Sequence, residues 1–332
     1  MKDRKIALFC AIMLILAGTT VFAQPFPGFK ELQDTMSDFT DNMAKSLPFN
    51  STIGLNSSDA YIGQFLGMPP HFGAGISLGF VTTEGDSMGD LLDYFGISLP
   101  IDMGGYPLFG YTTEGRIGGF ILPFDVGFKF GVLPVSVKSQ DLKLDYLLTG
   151  FDVRYAVLEG KGLAPKISIG VGYNYLKGGL EKAVDTESTF IYPDPTNSGS
   201  NNTLTLKKPT VGIWWETSSL DFKAQISKSL AIITPFFGLG ASVGFSKAGY
   251  GVEANIDDPS GQLDDALEFF RGIGITDMDV NGFSYEDSFN GWSFRAFGGL
   301  SLNLTVLKID LTGLYNFGDS RYGFNLGARI QI

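Results

Sequence analysis

From Tyr322 to Ile332 every second residue is apolar: Tyr322, Phe324, Leu326, Ala328, Ile330 and Ile332. Arg321, Gly323, Asn325, Gly327, Arg329 and Gln331 fill the other parity. A period of two over the whole segment predicts a strand with one face for an apolar medium and one for a polar interior. The two preceding segments repeat the pattern. Ile309, Leu311, Gly313, Tyr315 and Phe317 share a parity, as do Trp292, Phe294, Ala296, Gly298, Leu300, Leu302 and Leu304. Thr305 to Leu307 leaves room only for a tight turn, so these stretches read as adjacent antiparallel strands.

Residues 229–246 carry no charge, and an uncharged run of that length also suits a membrane helix. Parity decides for a strand: Ile233, Pro235, Phe237, Leu239, Ala241, Val243 and Phe245 fall on one face, and Phe236 is the exception on the other. Similar stretches lie at 71–82, 112–121, 124–134, 141–158, 163–176 and 207–228, with a parity change near Leu147 to Gly150 that reads as a bulge. The expectation is an all-β transmembrane antiparallel barrel over 71–332, of about ten strands within a range of 8 to 14. Short joins near 122–124, 159–163, 229–231 and 305–307 alternate with long outer loops at 83–111, 177–206 and 248–289, which places both termini on the periplasmic side. A soluble β-sandwich also alternates. Its strands need no charges opposite the apolar face, whereas here that parity carries Arg116, Asp125, Lys129, Asp152, Arg154, Lys166, Asp221, Lys223, Arg295, Lys308, Asp310 and Arg329. Mixed-sign charge fits a wet lumen or a solvated outer face; on the barrel reading, Arg116, Lys129, Asp152, Arg154, Arg295, Lys308, Asp310 and Arg329 are the candidate lumen lining. Forty-four glycines and 29 phenylalanines among 332 residues, with 18% charged, fit a curved sheet better than long helices.

The start of the chain reads as an export signal over 1–23. Lys2, Arg4 and Lys5 precede a short apolar core from Ile6 to Ala17, and Val21-Phe22-Ala23 suits cleavage before Gln24. The core is too short for a spanning helix. Cys10, the one cysteine, lies inside this signal, so the exported chain has neither disulfides nor thiolate chemistry. The net charge of -11 becomes more negative once the basic signal is removed, which disfavours nucleic acid as a partner.

Three segments have helical spacing. In the N-terminal region 24–70, Phe29, Leu32, Met36, Phe39, Met43 and Leu47 recur at steps of three and four; the segment either plugs the lumen as a hatch or hangs in the periplasm, and the apolar stripe, which needs burial, favours the plug. Met88, Leu91, Leu92 and Phe95 in the first long loop, and Leu263, Ala266, Leu267 and Phe270 in the last, have the same spacing. These faces either pack on one another or line the mouth of a pocket for a hydrophobic ligand. The 184–203 stretch is rich in Asp, Pro, Ser, Thr and Asn and reads as exposed loop.

Enzymatic chemistry finds little support. His71, the one histidine, follows Pro69-Pro70 at the start of the first strand and has no evident serine and acid beside it. Asp257-Asp258 and Asp264-Asp265 lack the ordered spacing of a calcium loop and read as solvated faces. No metal or cofactor is expected.

The signal, the plug-like 24–70, the loop helices near 88–95 and 261–271 and the amphipathic last strand together resemble the FadL-like outer-membrane transporters of long-chain fatty acids and other hydrophobic compounds. Arg116-Ile117-Gly118-Gly119-Phe120 followed by Pro123-Phe124-Asp125 is similar to shorter relatives of that group. The chain departs from the family in two ways: fourteen strands exceed the ten counted here, and no Asn-Pro-Ala follows Gln24. The resemblance implies an outer-membrane location, insertion by the barrel-assembly machinery among outer-membrane lipid, and passive transport of a hydrophobic small molecule past a hatch. The competing readings are a structural or adhesive surface barrel and a polar-solute porin.

Overall fold

Alternating strands bury their backbone groups only by pairing on both sides, and ten of them do so here in a closed ring. A computed structural model describes residues 29–67, 70–83, 106–133, 142–183, 188–193, 200–257, 268, 278–279 and 282–332. Helix α1 (Phe29–Asn50) comes first. It is followed by β1 (Phe72–Thr83), β2 (Tyr106–Gly118), β3 (Phe124–Val132), β4 (Leu142–Glu159), β5 (Lys166–Ala183), β6 (Ser188–Pro193), β7 (Asn201–Ser227), β8 (Ile233–Asp257), β9 (Met278–Asp279), β10 (Gly282–Leu304), β11 (Leu307–Asn316) and β12 (Arg321–Gln331). Every barrel pairing is antiparallel, and each strand follows its neighbour in sequence except where the short β6 and β9 lie off the ring against β7 and β10.

The ring closes where β12 inserts between β1 and β11. Leu78 lies opposite Leu326 on one side, and Leu311 lies opposite Leu326 on the other. The Ile332 amide donates to the Phe72 carbonyl at 3.0 Å, which ties the end of the chain to the start of the barrel. Full closure removes the open edge that a sheet of this size would otherwise present.

The joins 119–123, 160–165, 228–232 and 305–306 lie at one end, here the short-turn end. Ala231 and Thr305 take left-handed backbone angles in two of these turns. The opposite, long-connection end carries 84–105, 184–200 and 258–281.

The strands run further toward the long-connection end than the sequence pattern suggests. The expected loops 83–111, 177–206 and 248–289 are too long: β2 begins at Tyr106, β5 continues to Ala183, β7 begins at Asn201, and β8 and β10 reach Asp257 and Gly282. The pattern fails because the polarity of the two faces reverses. On β5, Lys177 and Glu181 face outward while Leu176 and Leu180 are buried inside. Ladder pairing to β4 and β7 holds the strand through this change. The same reversal explains the apparent bulge near Leu147 to Gly150. Pairing is continuous there, Leu148 simply being an inward apolar residue, and the register shift lies between Ala156 and Leu158.

The barrel is not water-filled. Residues 39–62 occupy its interior and are almost all buried. The chain passes along β7 in register with it: Ser51 meets Ser219, the Leu55 carbonyl accepts from Lys223, those of Ser57 and Ser58 from Gln225, and the Ala60 amide donates to Ser227. Asn50 donates to the Leu108 carbonyl and Pro48 lies against Gly244, whereas Ala60 reaches Ser227 at the short-turn end of β7, so α1 lies toward the long-connection end. The expectation that both termini share the short-turn side is therefore corrected for the N-terminal helix, although the last strand does end there.

Candidate functional site

The interior has two zones. Around α1 the wall is apolar. Phe39, Met43 and Leu47 share one stripe of the helix and are at most 3% exposed. They belong to one cluster with Phe49, Val81, Leu148, Leu176, Leu180, Ile213 and Leu314, and Leu144, Tyr146 and Trp215 pack against it. A helix satisfies its own backbone groups, so it can be lodged against side chains that offer no hydrogen bonds. At Gly244 a Cβ would collide with the Pro48 ring, so the small residue lets the helix end approach β8.

Below Asn50 the chain turns at Gly54 and Leu55, both at positive φ, and loses regular structure. Its backbone groups then need partners from the wall. Lys129 Nζ donates to the carbonyls of Ser51 and Ile53, both at 2.7 Å. Lys223 donates to Leu55 at 3.1 Å, Arg154 to Asp59 at 2.7 Å and Lys166 to Tyr61 at 2.9 Å. Carboxylates take the amides: Asp310 accepts from Ser58 N and Asp125 from Ile62 N, each at 3.2 Å.

The arginines are anchored within the wall. Arg154 grips Asp125 through two bonds of 2.8 and 3.0 Å, and Arg295 grips Asp221 at 2.6 and 2.8 Å. Arg116 bridges Asp125 and Asp152. These paired forks hold each charge against an opposite one in a buried interior, where an unpaired charge is costly.

Asp59 joins the segment to the wall. Lys308 lies at 2.5 Å, Arg329 at 2.9 Å and Lys166 at 3.6 Å, and Gln331 adds a bond of 3.2 Å. Burial alone would raise the Asp59 pKa, but Arg329, Lys308 and Lys166 together hold it well below the ordinary carboxylate range. Burial pushes Tyr61 up to about 12.

The structure places the eight candidate lining residues inside the barrel, with Arg154 completely buried and Lys308 and Arg329 partly so. They contact one another and the inner segment, as solvent-facing residues of a wet lumen would not. Of the five plug candidates, Phe39 and Met43 are buried, whereas the side chains of Phe29, Leu32 and Met36 lie outside the described residues, as do Met88, Leu91, Leu92, Phe95, Leu263, Leu267, Phe270 and the signal 1–23. Asp59 escaped the sequence reading. Its signal was present: it is the one charged side chain between residues 46 and 70. His71 sits at the short-turn rim with Nδ1 3.2 Å from the Ile332 carbonyl oxygen. Among the described residues no group of acidic, histidine or cysteine side chains is arranged to hold a metal.

No family model and no curated protein sequence matches the chain. Solved structures similar to it include the outer membrane protease OmpT from Escherichia coli, at 10% identity over 80% of this chain and 97% of that one, with a TM-score of 0.41. Ail, the attachment invasion locus protein of Yersinia pestis, is 13% identical over 79% and 97% with a TM-score of 0.27. The toluene transporter TbuX of Ralstonia pickettii is 10% identical over 79% and 88% with a TM-score of 0.23. It is the chain's own strand pairing that makes it a closed barrel.

Proposed function

We propose that this protein is an outer-membrane barrel that passes hydrophobic small molecules, such as long-chain fatty acids, past a plug formed by residues 39–62. The membrane reading is supported by an outward apolar belt. Ile169 and Val171 on β5, Leu220, Phe222 and Ile226 on β7, Phe237, Leu239 and Phe245 on β8, and Trp292, Phe294 and Leu300 on β10 are all exposed. Soluble surfaces rarely carry so continuous an apolar area. Toward the long-connection end the belt gives way to Tyr173 and Tyr175, then Lys177, and on neighbouring strands to Lys247 and Glu286. That order of apolar, aromatic and charged residues suits a bilayer core, its interface and water, and the belt's height suits the roughly 9–11 residues that a strand needs to cross.

The transport reading is carried by the apolar zone around α1. A helix held by side-chain packing can be displaced by a solute that offers the same surface. Capture by Met88, Leu91, Leu92, Phe95, Leu263, Leu267 and Phe270, release into the membrane and assembly by the barrel machinery belong to this proposal. Uptake of labelled fatty acid by cells producing wild type, Leu91→Asp, Leu267→Asp or Leu148→Asp tests it. Reduced uptake with normal barrel assembly is expected, and unchanged uptake in all three contradicts the route.

A surface-binding role has one observation in its favour: β7, β8 and β10, of 27, 25 and 23 residues, continue well above the belt. Deleting 188–206 separates the readings, since surface binding should fall while uptake persists.

A further inference from the structure

Among the described residues, the eight basic side chains of the polar zone differ in how they are held, although Arg154 and Arg329 also reach the inner segment at Asp59. Each arginine has a wall carboxylate: Arg116 and Arg154 have Asp125, Arg295 has Asp221, and Arg329 has Asp310. All four lysines reach the inner segment. Lys129, Lys223 and Lys166 donate to its carbonyl oxygens, and Lys308 to its Asp59 carboxylate. Lys223 is the one of the four that, among the described residues, is also paired to a wall carboxylate, Asp152 at 2.5 Å. The segment thus meets the wall lysines as a string of oxygen ligands, running from Ser51 to Tyr61.

We propose that withdrawal of residues 39–62 opens an anion-selective path through the barrel, with Lys129, Lys166, Lys223 and Lys308 as its selectivity residues. This rests on the reading of the segment as a removable plug but not on what hydrophobic solute is carried. The segment fills the lumen across the polar zone, so its departure leaves a passage of polypeptide cross-section. Five wall carboxylates, Glu114, Asp125, Asp152, Asp221 and Asp310, then face eight basic groups, so the passage is net cationic. The arginine forks stay neutralised by their partners. The lysine ammoniums lose the segment's oxygens, Lys223 alone of the four keeping a wall carboxylate among the described residues, and take water and anions instead. A ring of such groups between low-dielectric walls concentrates anions and repels cations. The arginines thus keep a wall carboxylate when the segment leaves, whereas Lys129, Lys166 and Lys308 are left as flexible point charges facing the passage.

Current through the full-length protein in a planar bilayer tests this, with a potassium chloride gradient across the membrane and graded urea to withdraw the segment. A Ser51→Cys/Ser219→Cys variant, with Cys10→Ser to remove the one native cysteine, locks it when oxidised, since the two hydroxyl oxygens lie 2.8 Å apart. The expected result is current in wild type and in the reduced variant, absent in the oxidised variant, with chloride permeating several-fold faster than potassium. Lys129→Gln/Lys223→Gln should reduce that preference without reducing the current. The proposal is overturned by cation preference, by equal permeation, or by no current in either unlocked protein while heat-modifiable gel mobility reports an intact barrel. Fatty-acid uptake, measured separately, tests the transport reading alone, because the ion preference does not depend on which hydrophobic solute is carried.

Discussion

The two halves of the barrel interior bury consecutive stretches of one chain by opposite means. Toward the long connections, Leu148, Leu176, Leu180 and Ile213 enclose α1 without offering it hydrogen bonds. Toward the short turns, Lys129, Arg154, Lys223 and Gln225 supply donors to the carbonyls of 51–61. The difference follows from the backbone of the occupant. A helix pairs its own amides and carbonyls, and an irregular segment cannot. The wall's polarity is matched to that need, which is why one strand, β5, carries Leu176 and Leu180 above and Ser168 and Asn174 below on the same inward face.

This contrast can be broken from either side. The largest effect is expected for Leu47→Asp, which puts an unpaired carboxylate into the apolar zone and should weaken docking of the segment by about 5 kcal/mol. Protease cleavage near residue 50 in graded urea reads this directly, and an unshifted midpoint would count against the apolar zone. Asp59→Asn comes next, at about 3 kcal/mol, because Lys308 and Arg329 lose their shared carboxylate. The urea midpoint for release of the segment should fall while the barrel's own unfolding is little changed. Lys129→Met should cost about 1–3 kcal/mol, the cost of leaving the Ser51 and Ile53 carbonyls unpaired. At the small end, Lys247→Ala removes only the exposed pair with Glu286 and should leave docking unchanged.

The Asp59 latch also has a pH signature. Its pKa is depressed in the folded state, so its contribution is fully present above the ordinary carboxylate value of 3.8 and is lost as pH falls through the lower folded value. Docking should therefore be insensitive to Asp59 between about pH 7 and about pH 5, and the advantage of wild type over Asp59→Asn should shrink only in stronger acid. A loss of that advantage already in the mildly acidic range would show that Asp59 is not held by its three cations.

Ring closure and strand number were legible because the outward face obeys one rule: Ile169, Phe222, Leu239 and Phe294 are spaced by strand parity whatever lies behind them. Strand ends were not legible, because beyond the belt the outward face turns polar and the inward face turns apolar, so parity reverses although pairing continues through Lys177, Glu216 and Lys247. The inward charges of Arg116, Asp152, Arg154 and Arg295 were visible as residues, but not their partners. Nothing in the local pattern of Asp125 or Asp221 says which arginine lies across the sheet. The course of 51–62 was the least legible, since an irregular segment has no period and is placed entirely by side chains distant in sequence.

Threading of the lumen by residues 39–62, with α1 toward the long connections, is tested most directly by single cysteines introduced after Cys10, the one native cysteine, is replaced by serine. Asp38 is exposed and Ser51 is fully buried. On intact cells, a membrane-impermeant maleimide should label Asp38→Cys rapidly and leave Ser51→Cys unlabelled until the segment is released by denaturant. Equal labelling of both, or labelling of Asp38→Cys only after the outer membrane is opened, would contradict the account.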